Sequence, residues 1–265
     1  MSLAITILGC GSSAGVPRVG QGWGACDPHN PKNRRRRCAI LVERFGSAAE
    51  KTVALVDMGP DLRNQLLDHD ITRLDAILLT HPHADHVHGI DDVRPLVIQA
   101  QHQIDLHMDA ETALVVRNHF SYIFETPEGS HYPPLLKERR LVPGKLCTVK
   151  GGGGAIEAMP FRLEHGEIPS LGFRFGNIAY TPDLNAIPAD SRTYLEDLDV
   201  WIVDALRYTP HPSHFSLPET LDWIGRLKPK RAILTNLHTD LDFARLQAEL
   251  PKNVEPAFDG MRVLA

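Results

Sequence analysis

No run of about 18 apolar residues occurs in this sequence, so a transmembrane helix is not expected. The opening MSLAITILGCGSS lacks the basic start of a signal peptide, and the cytoplasm is the expected compartment. Positive charge is scarce as well. The chain carries 28 Lys and Arg against 33 Asp and Glu, for a formal net charge of −5. A dedicated nucleic-acid binder usually has a domain pI above about 9, so long nucleic acid is not expected as a partner. Cysteine is limited to Cys10, Cys26, Cys38 and Cys147 with no CxxC spacing. That argues against both a disulfide framework and a cysteine-rich zinc site. No internal repeat shows at the level of residue identity and no shift of composition marks a boundary, so one domain over residues 1–265 is expected.

What the chain does have is histidine, 14 residues of it. The segment LDAILLTHPHADHVHGIDDV, residues 74–93, sets an apolar run against a crowd of donors. The run Leu74 to Leu79 stops at Thr80, and His81, His83, Asp85 and His86 follow almost at once. In a short loop alternate side chains diverge. His81 and His83 can serve one point while Asp85 and His86 serve another a few ångström away. This suits two neighbouring cations, which stand about 3.5–4 Å apart in two-metal hydrolases. Imidazole and carboxylate donors fit zinc, manganese or iron.

Apolar runs at residues 4–8, 38–43, 52–57, 74–79, 104–108, 173–181, 199–206 and 231–235 read as strands, several of them buried on both faces. Helices are expected over 59–70, 109–123, 216–229 and 240–251. The alternation implies an α/β protein with helices covering sheet faces. GCGSSA (9–14) meets a dinucleotide-binding pattern, but Pro17 and further glycines stand where a helix must begin. GGGG (151–154) has no Lys and Ser/Thr behind it and is no P-loop.

HPHADH matches the HxHxDH hallmark of the metallo-β-lactamase superfamily, and later segments continue the resemblance. It implies a four-layer αββα sandwich holding two divalent ions, zinc or manganese. The implied ligands are His81, His83 and His165 (in FRLEHG) on one ion, and Asp85, His86 and His238 (in ILTNLHTDLD) on the other. Asp183 (in IAYTPD) would bridge them, and Asp57 (in TVALVDMG) would orient ligands through hydrogen bonds. Asn236 stands where some relatives have His. ITILGCGSSAGVPRVG, NPKNRRRRCAILVE, VDMGPDLRNQLL and PAFDGMRVL resemble the phosphodiesterase branch, the phosphoribosyl 1,2-cyclic phosphate phosphodiesterases and tRNase Z. RYTPHPSHFSLPETL puts His214 before a helix, where these enzymes carry a catalytic His, with His211 as a nearby competitor.

The implied reaction is hydrolysis of a small cyclic or nucleotide-like phosphodiester. Hydroxide generated between the cations would attack phosphorus, with Asp85 and His214 as catalytic groups. A tRNase Z-like RNA endonuclease and a thioester or lactone hydrolase are the rivals on the same fold. Relatives often form dimers, so a homodimer is a possible state. The stretch GWGACDPHNP keeps only Cys26 of the structural-zinc cluster found in several such enzymes, so that zinc is not expected. RRRR (34–37) leads into a strand, where alternate side chains face opposite ways. Arg35 and Arg37 are therefore candidates to meet a substrate phosphate. The aromatic segment 118–137 suits either a base-stacking loop by the metals, or a helical cap or dimer contact.

Overall fold

The computed structural model describes residues 2–47 and 50–264. Its strands are Leu3–Gly9 (β1), Ala39–Phe45 (β2), Lys51–Val56 (β3), Ala76–Leu78 (β4), Ile104–Met108 (β5), Leu136–Arg140 (β6) and Cys147–Val149 (β7). They continue as Ile156–His165 (β8), Ile168–Phe175 (β9), Ile178–Thr181 (β10), Val200–Asp204 (β11), Arg231–Thr235 (β12), Val254–Pro256 (β13) and Arg262–Leu264 (β14). The helices are Leu62–Asp68 (α1), Ala84–Val87 (α2), Arg94–Ala100 (α3), Ala110–His119 (α4), Ser121–Phe124 (α5), Leu217–Leu227 (α6) and Phe243–Glu249 (α7).

Two seven-stranded sheets form, in the orders β14-β1-β2-β3-β4-β5-β6 and β13-β12-β11-β10-β9-β8-β7. Side chains alternate between sheet faces, and here both faces are apolar. Ile40, Val42, Ala54, Val56, Ile202 and Ile233 point into a core between the sheets. Their neighbours Leu41, Val53, Leu55 and Ile77 point outward, against α1 and the helices that follow it. Trp201, Val203, Ala232 and Leu234 point outward on the second sheet, under α6 and α7. Three apolar layers between four layers of secondary structure give the expected αββα sandwich. Each fully buried Ile or Leu in such layers contributes roughly 1.5–3 kcal/mol of transfer free energy. Among the described residues no helix is long and apolar enough to cross a membrane.

Local chemistry sets the helix limits. Ser216 and Glu219 form a reciprocal capping box at the start of α6, Pro218 sits in its first turn, and Lys228 ends it in a left-handed conformation. Asp242 caps α7 by accepting from the Arg245 N–H. The run 173–181, read as one strand, is a hairpin: β9 and β10 fold back at Gly176, whose φ is 60°. Strands β6, β7, β8, β13 and β14 lie outside the apolar runs. They are short, charged or, in β8, interrupted by Pro160, so composition hid them.

The segment 118–137 is helical only as far as Phe124, runs irregularly to β6, and sets the Phe120 ring 5.7 Å from that of His88 in the donor-rich segment. Ile123 and Phe124 are buried in the core beneath the first sheet, and Phe120 packs against it.

Two glycines show how tightly the donor-rich loop is seated. A Cβ on Gly59 would lie 1.9 Å from the Asp85 carbonyl oxygen, and one on Gly89 would lie 2.1 Å from the Gly59 carbonyl oxygen. Gly225, exposed in α6, has open space around it. Gly59→Ala is therefore expected to lower stability by about 1–3 kcal/mol through overpacking and to displace the Asp85 loop. Gly225→Ala is expected to raise it by about 0.5–1 kcal/mol. Urea denaturation of the two variants checks both signs, and a neutral Gly59→Ala would contradict the close fit.

Candidate metal centre

The site forms where strands of both sheets end at one rim. Strand β3 delivers Asp57, β4 delivers Thr80 and the His81–His86 loop, β8 ends in His165, β10 leads to Asp183, and β11 ends in Asp204. Open α/β sheets place their sites at such strand ends. The Leu171 N–H donates to the Thr80 carbonyl at 2.9 Å and so ties the second sheet to the loop.

Asp57 organises the loop. It is fully buried and takes a left-handed conformation, φ 65°. Its Oδ1 accepts from the Thr80 N–H at 2.9 Å, and its Oδ2 accepts from the Thr80 hydroxyl at 2.9 Å and from His86 Nδ1 at 2.8 Å. A hydroxyl has one hydrogen and a carboxylate can only accept, so the Thr80 proton points at Asp57. His81 Nδ1, 2.9 Å from Thr80 Oγ1, must then be the donor of that contact. His81 Nε2 is left with a bare lone pair. The same reasoning applies to His165, whose Nδ1 donates to the Ser213 carbonyl at 2.7 Å, and His86 likewise gives its Nδ1–H to Asp57 and turns Nε2 to the site.

These ring nitrogens converge. His83 Nδ1 lies 2.9 Å from His81 Nε2 and 3.2 Å from His165 Nε2. His86 Nε2 lies 3.2 Å from Asp183 Oδ2 and 3.4 Å from Asp85 Oδ2. Donors set 2.0–2.1 Å from a shared tetrahedral ion stand about 3.3–3.4 Å apart, close to these separations. His83 Nδ1 has at most one hydrogen to give to the two lone pairs it faces, and Asp183 Oδ2 is buried with only the His86 ring beside it. A cation satisfies all of them, so the donor set fits a metal. The groups gathered within 4.8 Å are His81, His83 and His165; His81, His86 and Asp183; and His165, Asp183 and His214.

The charge distribution agrees. Burial holds His81 well below the ordinary imidazole value and lowers His83 and His165 too, so these rings are neutral donors. Burial also opposes a charge on His86, yet Asp183, Asp57 and Asp85 together hold it well above that value. A divalent ion would relieve the same negative field by taking His86 Nε2 in the place of a proton.

His214 lies beside this cluster, its Nδ1 2.8 Å from Asp204 Oδ2 and 3.7 Å from Asp183 Oδ1. Burial works against its charge, but Asp204 raises it to about 9. Asp204, fully buried, is itself pushed up by burial. Sequence reasoning missed Asp204. The available signal was an Asp closing the buried run VWIVD, just as Asp57 closes TVALVD.

Two expectations need correction, those for Arg35 and Arg37. His238, like Asp85, lies outside the three gathered groups. Its Nδ1 turns to Asp240 Oδ1 at 3.0 Å, while Asn236 occupies the strand end, its Nδ2 3.4 Å from Asp183 Oδ1 and 3.0 Å from His214 Nδ1. Arg35 does not face a substrate: it is 1% exposed and holds the Leu241 carbonyl at 2.7 Å and the His238 carbonyl at 3.3 Å. Arg37 commits its Nη1 to both oxygens of Asp61 at 2.9 and 3.0 Å and its Nε to the Ser13 carbonyl. Alternation sent Arg35 inward, where unpaired backbone carbonyls of the 238–241 loop needed a donor. A cavity of about 640 Å³ opens elsewhere, between α3 and residues Tyr132–Leu135, and is lined by none of these donors.

His81→Ala and Asp183→Ala are each expected to lose bound divalent metal, measured by elemental analysis after gel filtration. His238→Ala is expected to keep it. Metal lost from His238→Ala but kept in Asp183→Ala would reverse the assignment.

The beta-lactamase superfamily domain matches residues 52–236, more than half of the chain. A Porphyromonas gingivalis protein described as an octanoyltransferase is 31% identical over 263 residues, which are 97% of this chain and 51% of the relative. The chain thus spans about half the length of that curated relative. Among solved structures, a diphosphatase from the PhnP family is 32% identical, with a TM-score of 0.88 over 100% of this chain and 98% of that one. The short form of human tRNase Z is 19% identical with a TM-score of 0.64 over 98% of each chain, and shares the fold. Donors from both sheets converging at the strand ends, within a match that runs from β3 to Asn236, are those of a metal-dependent hydrolase of the metallo-β-lactamase fold, and the chain belongs to the beta-lactamase superfamily.

Proposed function

We propose that the protein hydrolyses a small phosphodiester, cyclic or nucleotide-like, using two divalent ions, zinc or manganese. His81, His83 and His165 would hold one ion, Asp85 and His86 the other, with Asp183 between them. Divalent ions in such a site supply Lewis-acid stabilisation of phosphoryl charge and a more acidic water. The observation that carries the reading is the His214–Asp204 pair beside Asp183. Asp204 fixes the ring through Nδ1, so Nε2–H is the donor it offers. A ring raised to about 9 is protonated at neutral pH. Such a group neutralises charge on the phosphoryl oxygens and gives its proton to the departing alkoxide. Thioester and lactone hydrolysis make less use of it.

The PhnP-family diphosphatase, 32% identical over nearly its whole length, supports a phosphorus-centred substrate. The acidic chain, at −5, supports a small ligand over long RNA. Four free, buried thiols suit the reducing cytoplasm, and a homodimer is the oligomer proposed.

His214→Ala is expected to keep its metal and lose about 10²–10⁴-fold in kcat on a cyclic phosphodiester. Asp204→Asn is expected to lose rate in the same direction, because the ring is no longer held or charged. Rates on cyclic and linear phosphodiesters, a nucleoside diphosphate and a thioester form the check. Rapid thioester turnover with inert phosphodiesters would sink the reading.

A further inference from the structure

Four imidazoles stand in a row that leads out of the candidate metal centre. The rings of His83 and His165 are 5.0 Å apart, those of His165 and His214 4.6 Å, and those of His214 and His211 5.2 Å. The first two are candidate ligands, and the third is the acid beside them. The fourth, His211, is neither.

The loop between β11 and α6 holds His211 in place. Arg207 donates from Nε to the Thr209 carbonyl at 3.1 Å and from Nη2 to the Pro210 carbonyl at 2.6 Å. Pro210 and Pro212 fix φ on either side of the histidine. Asn185 donates to the Pro212 carbonyl at 3.0 Å and accepts from the Gly166 N–H at 3.0 Å, which ties the loop to the turn after His165. Ser213 links His211 to the ligand set directly. Its carbonyl accepts from His165 Nδ1 at 2.7 Å, and its N–H donates to His211 Nδ1 at 3.3 Å. A ring nitrogen that accepts from a backbone N–H carries no proton, so the proton of the His211 ring is on Nε2. The Ser213 hydroxyl, 3.2 Å from Nδ1, also meets that side of the ring. The ring is half-buried, and among the described residues nothing bonds to Nε2.

The order of the row sets what this donor meets. His214 serves the departing oxygen. A ring 5.2 Å further on meets the part of a substrate a few bonds beyond that oxygen, not the phosphorus. An uncharged N–H suits a hydroxyl or ether oxygen there, and a fixed ring loses little freedom on making the bond.

We infer that His211 determines the leaving group: its Nε2–H donates to an oxygen of the departing alcohol, so that sugar-like leaving groups are preferred over plain alkyl ones. The inference deepens the phosphodiesterase reading and rests on it for turnover, but not for binding.

Two cyclic diesters with the same ring around phosphorus test it. Adenosine 2′,3′-cyclic monophosphate has a ribose leaving group, and ethylene phosphate has no oxygen beyond its ring. In the metal-loaded protein His211→Ala is expected to lose about 3–10-fold in kcat/KM on the nucleotide, mostly through KM, and under about twofold on ethylene phosphate, with metal content unchanged. His211→Gln, which keeps an N–H near the place of Nε2, is expected to recover most of the loss. Calorimetric titration with adenosine 3′-monophosphate and with inorganic phosphate reads the contact without turnover. His211→Ala is expected to weaken the nucleotide by about 3–10-fold and to leave phosphate binding in place. Equal losses on the two diesters, or a nucleotide preference that survives His211→Ala, would overturn the inference. If neither diester is cleaved while His211 still favours the nucleotide over phosphate, the contact stands and the phosphodiesterase reading falls.

Discussion

Lone pairs and carboxylates repel one another, and this protein holds both at one buried rim. His81 Nε2, His83 Nδ1 and His165 Nε2 face inward together, and Asp85 and Asp183 face His86. The cores on either side of each sheet supply the free energy that keeps them there. Asp57 transmits that rigidity to the loop. By accepting from Thr80 and His86 it aims two rings without touching the point where they meet. Second-layer partners of this kind decide which ring nitrogen is free to bind.

The two sheets are built alike, although no repeat is visible in residue identity. Reading across each sheet, three antiparallel pairings give way to three parallel ones. The parallel part of each delivers the chemistry. In the first sheet, β3 ends in Asp57 and β4 leads into the His81–His86 loop. In the second, β10 leads to Asp183 and β11 ends in Asp204. In each a buried carboxylate grips a His Nδ1 at 2.8 Å, Asp57 on His86 and Asp204 on His214. The His86 nitrogen opposite is turned to Asp183 and Asp85, and the His214 ring lies against the same Asp183.

Charge is used in three ways by neighbouring arginines. Arg35 is a buried clamp on backbone carbonyls, Arg37 is neutralised by Asp61, and Arg18 holds the Ser12 hydroxyl within reach of the Asp240 charge. What separates them is the direction of each side chain relative to the sheet edge and the groups it meets there. Residue type alone carries no such information.

The sequence by itself determined the fold class and most of the donor set. Apolar runs with period two or none declare strands, and HPHADH packs four donors into six residues, so local spacing is enough to read them. The segment's meaning survives because it depends on neighbours in the chain. Asp204, the turning of His238 toward Asp240 and the inward Arg35 depend instead on residues up to about two hundred positions apart meeting at one rim. Only the tertiary structure decided those, because which face a side chain takes, and which partner waits there, is set by how two sheets close on one another.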